Sequence, residues 1–139
     1  MKPNIVIIAG DFHQELANQM IAFAQDEIAE NGGQTYKTIV VAGSYEVPLI
    51  ADLALTSKKV DAVVALGYIE KGETLHGEVM GHVVHKSLVE LQVKHKKPIG
   101  LGIIGPGATM QQAEARKEGA AKSAVKAVFR NLEALNSLE

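Results

Sequence analysis

Short runs that are apolar at every position alternate along the chain with longer stretches apolar at every third or fourth position. "NIVIIA" (4–9) is rich in β-branched residues, as a strand buried on both faces should be. The next stretch predicts a helix from about His13 to Asn31. Leu16, Met20, Phe23, Ala24 and Ile28 recur there at helical spacing, Asp11 is placed to cap it, and Gly32 and Gly33 stop it. "TYKTIVV" (35–41) predicts a second strand, with more alternation than the first. "GSYEVP" (43–48) turns the chain, and Pro48 suits the first turn of a helix over about 47–57. "VDAVVALG" (60–67) predicts a third buried strand. Residues 76–95 predict a helix with Met80, Val83, Val84, Leu88 and Leu91 facing inward. "PIGLGII" (98–104) is the fourth strand. The last helix begins near Thr109, where Thr109 and Gln112 fit a capping box, and runs to about Leu135.

Strands alternating with helices require right-handed crossovers and a mostly parallel sheet covered on both faces. Without a linker, repeat or low-complexity segment, residues 1–139 read as one α/β domain. Ligands of such sheets collect beyond the carboxyl ends of the strands. "GDFH", "GSYEVP", "GYIEKGETLH" and "IGPGAT" are expected to meet there, although they are far apart in sequence.

Composition narrows the function classes. At 139 residues the chain can bury one real core. A net charge of −2 gives no electrostatic reason to expect nucleic acid or an anionic membrane as partner. Without cysteine there are no disulfides, thiolate metal sites or cysteine nucleophiles. No apolar run approaches the ~18 residues of a membrane span. "MKPNIVIIAGDF" reads as a first strand rather than a signal peptide, so a cytoplasmic protein is expected.

One motif is a decoy. "GLGIIG" (100–105) fits the dinucleotide fingerprint, but its first two glycines fall inside the last strand, and Pro106 and Gly107 come before the helix. "GETLH" is better placed. The backbone N–H groups of Gly72, Glu73 and Thr74 can meet an anion where a helix begins, and His76 in the first turn can exchange a proton near neutral pH. The plain alternative is that Thr74 caps the helix and His76 is a solvated surface residue. Arg116 is the natural counter-charge for a phosphate; equally, it could pair on the surface with Gln112 or Glu118. Phe12 could stack on a planar ring or staple onto the first helix. Ser44 and Glu46 could bond a polyhydroxyl chain or cap a helix, and Tyr45 between them is assigned to the core. Glu78, His82 and His85 share a helix face at a spacing a metal could use, but nothing completes the set. A face turned to a neighbouring subunit is the expected reading, and no metal is expected.

Taken together these segments resemble the lumazine synthase family, in order and over nearly the whole chain. "GDFH" sits where the family has its ring-stacking Phe-Asn pair. "GSYEVP" looks like its Gly-(Ala/Ser)-aromatic-Glu-(Ile/Leu)-Pro, and "GETLH" like its Gly-(Ala/Glu)-Thr-x-His. "GIIGPGATMQQAEAR" resembles the archaeal-type loop that leads to the family arginine. The resemblance implies a flavodoxin-like three-layer α/β/α sandwich with a four-stranded parallel sheet. It also implies cofactor-free condensation of 5-amino-6-(D-ribitylamino)uracil with 3,4-dihydroxy-2-butanone 4-phosphate.

Carried over by position, Phe12 stacks on the pyrimidine, Ser44 and Glu46 bind the ribityl chain, and Tyr68 and Ile69 offer backbone contacts. Gly72, Glu73, Thr74 and Arg116 hold the phosphate, and His76 shuttles protons. Leu101 matches a position from which a neighbouring subunit closes the pocket. A homo-pentamer is implied, and a sixty-subunit icosahedral shell (60-mer) stays open. Two departures stand out: His13 replaces the asparagine after the aromatic, and Ala120 stands where bacterial members carry a lysine. Two other readings are kept beside this one: an archaeal-type riboflavin synthase, and a non-catalytic flavin-binding or shell-forming scaffold. "GET" with Arg116 argues against the first, and His76 with Arg116 against the second.

Overall fold

The computed structural model describes residues 2–139. Strands β1 (Asn4–Gly10), β2 (Gln34–Val41), β3 (Ala62–Glu70) and β4 (Ile99–Ala108) form one parallel sheet in the order β2-β1-β3-β4. The helices are α1 (Gln14–Glu30), α2 (Val47–Thr56), α3 (His76–His95) and α4 (Met110–Asn136), and a 3-10 turn at Ser44–Glu46 leads into α2. The predicted α/β class and the helix and strand order hold.

The two central strands explain the apolar runs. Alternate residues of β1 serve opposite layers: Ile5 and Ile7 pack with Leu16, Met20 and Val125 of α1 and α4, while Val6 and Ile8 pack with Val47, Leu55 and Leu88 of α2 and α3. Burying each such aliphatic side chain contributes about 1.5–3 kcal/mol. At the sheet edge β2 has helix cover over less of its length, which is why its sequence alternates.

Some predicted details change. The cap of α1 is His13 without a side-chain bond, and Asp11 instead donates its backbone N–H to the Val41 carbonyl at 2.9 Å. On α3 the buried stripe follows Gly81, Val84 and Leu88, leaving Val83 on the flank and half exposed. Tyr45 is also exposed (43%), so it is not core; its ring sits edge-on to His76 at 6.2 Å. β3 and β4 run past their expected ends. After a shift in register Glu70 pairs with Ala108, so "YIE" and "GPGA" belong to strands. Pro106 is tolerated because β4 is an edge strand and needs no second ladder of N–H donors.

The decoy glycines have a packing role. A Cβ on Gly100 would lie 2.2 Å from the Ala124 carbonyl oxygen, so glycine there lets α4 lie directly on β4. The capping box is formed: Thr109 Oγ1 accepts from the Gln112 N–H at 3.2 Å, and the Thr109 N–H donates to Gln112 Oε1 at 2.9 Å.

Candidate active site

The carboxyl ends of β1 and β3, the 3-10 turn and the start of α3 enclose a cavity of about 290 Å³. Phe12, Ser44, Tyr68, Ile69, Gly72, Thr74 and His76 all line it. A second cavity of about 520 Å³ shares Glu70, Gly72, Thr74 and Gly77 with the first and adds Glu73, Lys71 and Pro106. An apolar groove of about 420 Å³ near the amino end of β4, between Val93, Pro98 and Leu138, holds none of the sequence-predicted residues.

Phe12 is 80% exposed, so it is not stapled onto α1 and its ring is free to meet a planar partner. Ser44 is buried at the cavity wall, and neither Ser44 nor Glu46 makes a side-chain cap. Glu46 lies beside the wall rather than in it, its Oε2 directed at Gly43. Tyr68 is buried and donates its hydroxyl to the Ala108 carbonyl at 2.7 Å, tying the end of β3 to the end of β4. Burial, and then the charge of Glu70, push its phenol above the usual tyrosine value.

In the 72–74 loop, no backbone N–H donates to a protein group among the described residues. Thr74 does not cap α3 in the usual sense: the cap is Leu75, and Thr74 Oγ1 accepts the His76 N–H at 3.3 Å. Free amides at a helix N-terminus suit an anion. The cavity's own charges do not, because the carboxylates of Glu70, Glu73 and Glu78 outnumber the one lysine, Lys71. A bound phosphate there needs a further cation.

Two predicted residues stand apart. Arg116 is exposed, lines neither cavity, and has no ion pair or side-chain hydrogen bond among the described residues. Its surface alternatives are taken: Gln112 closes the capping box and Glu118 bonds Lys122 at 2.6 Å. Leu101 is 38% exposed on β4 and likewise off both cavities. On α3, His82 Nε2 lies 3.8 Å from Glu78, and His85 Nδ1 lies 2.8 Å from the Gly81 carbonyl oxygen. Among the described residues no group of three His, Asp or Glu side chains is arranged to hold a metal ion. Among the described residues no helix is long and apolar enough to cross a membrane.

Sequence reasoning noted His13 only as a departure and missed Glu70 and Lys71 as cavity residues. Their signal was position, since all three fall in segments assigned to the ligand edge.

Fold and cavity define a parallel α/β protein with a cleft at the carboxyl edge of its sheet, lined by His13 and His76 and bordered by a loop with unpaired backbone amides. The family model described as 6,7-dimethyl-8-ribityllumazine synthase matches residues 2–138. Curated proteins named 6,7-dimethyl-8-ribityllumazine synthase are similar over nearly the full length. That of Staphylothermus marinus is 37% identical across 97% of this chain and 90% of its own. Those of Sulfolobus acidocaldarius (36%, covering 99% and 87%) and Methanocaldococcus jannaschii (32%, covering 98% and 96%) agree. The chain belongs to the 6,7-dimethyl-8-ribityllumazine synthase family.

Proposed function

We propose that this chain is a transferase of riboflavin biosynthesis that condenses 5-amino-6-(D-ribitylamino)uracil with 3,4-dihydroxy-2-butanone 4-phosphate, releasing phosphate and water, with the cytoplasm as its compartment. The observation that carries this reading is the shared cavity edge: Phe12 and His76 line one cavity, and Gly72 and Thr74 open it onto the next. The roles follow from chemistry. The exposed ring of Phe12 stacks the pyrimidine. Ser44 at the wall and Glu46 beside it bond the ribityl hydroxyls, with the backbone at Tyr68 and Ile69 fixing the ring edge. The amides of Gly72, Glu73 and Thr74 hold the phosphate at the start of α3. His76, next to them, supplies and removes protons as phosphate leaves and the ring closes. Holding two reactive molecules in line accounts for much of such an acceleration.

The site is completed by a second copy of the chain. Arg116 and Leu101 are exposed and off both cavities, while Lys71 is outnumbered by three glutamates around the 72–74 loop, so a phosphate there needs a second cation. A neighbour bringing Arg116 to the 72–74 loop and Leu101 over the pyrimidine supplies both. A closed ring such as a pentamer would repeat this contact. The test is to mix the protein with both substrates and follow lumazine absorbance and fluorescence above the spontaneous reaction. Acceleration supports the reading, and a rate equal to background rejects it.

A further inference from the structure

The cavity holds a second histidine that none of the roles above uses. His13 sits between β1 and α1, with its ring wedged among three side chains. The Phe12 ring meets it edge-on at 5.1 Å, and the Tyr68 ring lies 4.8 Å away at 38°. Its Nε2 is buried without a hydrogen bond, and the nearest acid, Glu70 Oε1, is 3.2 Å away but misaligned. Buried ring nitrogens are normally satisfied, so an unsatisfied one in a cavity wall calls for a reason. A histidine kept only for packing has no use for a neighbouring carboxylate. A histidine that must take up a proton does, because the carboxylate stabilises the imidazolium.

Resting on the synthase reading, we propose that His13, backed by Glu70, is the proton carrier at the pyrimidine end of the cavity, while His76 serves the phosphate end. The placement argues for this division. Phe12, the stacking platform, touches His13, so the reacting amine of a stacked pyrimidine is brought near that ring. His76 stands instead at the start of α3, beside the phosphate loop. With Nε2 against Glu70, Nδ1 is the nitrogen left for substrate.

The proton account closes. In imine formation the amine gives up both N–H protons, a C=N bond replaces the C=O bond, and the ketone oxygen leaves as water carrying both protons. His13 takes each proton from nitrogen and passes it to that oxygen, starting and ending neutral. No electrons change hands and no further reactant is needed.

Three other titratable groups line the same cavity: Glu70 and Tyr68 on β3 and His76 on α3. The test is the pH dependence of kcat for wild type, His13→Gln and Glu70→Gln at saturating substrates, with the spontaneous rate subtracted. Glutamine keeps a polar side chain but cannot titrate. His13→Gln should lose about 10²-fold in kcat, with little change in KM for the pyrimidine, and should lose the acid limb of the profile. Glu70→Gln should lose part of kcat with little change in KM for the pyrimidine, because glutamine keeps the side-chain shape beside His13 but not the charge that backs its proton uptake. Unchanged kcat and profile in His13→Gln, or a rise in KM alone, would overturn the proposal. Should that variant not fold, an unchanged kcat in Glu70→Gln overturns it equally. A wild-type protein with no acceleration would overturn the synthase reading instead, and that result precedes any substitution.

Discussion

Gly81 on α3 lies against Pro106 of β4 so closely that a methyl group on Gly81 would come within 2.4 Å of the proline Cδ. This contact sets how near α3 approaches the strand end that walls the phosphate-side cavity. A proline ring cannot swing aside as a long side chain can. Gly81→Ala should therefore cost about 1–3 kcal/mol through overpacking. Denaturant melts read that loss, and a parallel rise in KM for the butanone phosphate reads the widened cavity. A variant as stable as wild type would show that the two elements separate without cost.

Tyr68→Phe removes the bond to the Ala108 carbonyl, which keeps its second donor, the Lys71 N–H at 2.9 Å. The loss should stay near about 0.5–1.5 kcal/mol, because no buried acceptor is orphaned. The native phenol ionises above its ordinary 10.0, so the unfolded chain releases that proton first. Stability should then fall as pH rises through about 10 in wild type, and Tyr68→Phe should lack that share of the fall.

Asp52 joins α2 to the end of α3, with His95 Nε2 at 2.6 Å and Lys94 Nζ at 3.3 Å. Hydrogen bonds from His95 and then Lys94 hold its carboxyl below the ordinary value of 3.8. A depressed carboxylate stabilises the fold above that value and loses its effect as pH falls below it. Thermal melts of wild type and Asp52→Asn should differ at neutral pH and converge in acid. A gap independent of pH would mean that the tie is not ionic.

Arg116→Ala should raise KM for the butanone phosphate about tenfold or more and leave kcat largely intact, as loss of a charge-assisted contact to a bound group does. If the arginine comes from a neighbour, refolding Arg116→Ala together with His76→Ala should restore part of the activity that each alone lacks. Mixed chains no better than the separate variants would place Arg116 and His76 in the same subunit's site.

Much of this was legible in the chain. β1 and β3 announced themselves because burial on both faces leaves no polar positions, and α3 and the capping box of α4 followed from spacing alone. The strand ends were not legible: Tyr68 still pairs in register with Ile104, but Glu70 meets Ala108 only after a shift that passes over the loop-like Gly105, Pro106 and Gly107. Val83 and Tyr45 misled because an apolar residue looks the same whether it faces its own core or open surface. The motif residues Phe12, Ser44, Thr74 and His76 converge as expected, since strand order brings their segments to one edge. The approach of His13 to Glu70 depends on packing between β1 and β3, which no local pattern encodes. Nor can one chain's pattern tell that Leu101 and Arg116 point away from their own cavity.

The most direct measurement of the central claim is the turnover of His76→Ala against wild type, with the spontaneous condensation as baseline and binding of the ribitylaminouracil measured beside it. The account predicts that wild type exceeds the baseline, that the variant loses about 10²-fold or more of kcat, and that its pyrimidine binding is little changed. A variant that turns over as fast as wild type would contradict it, and "GETLH" would then be a loop and a helix start with no hand in the chemistry.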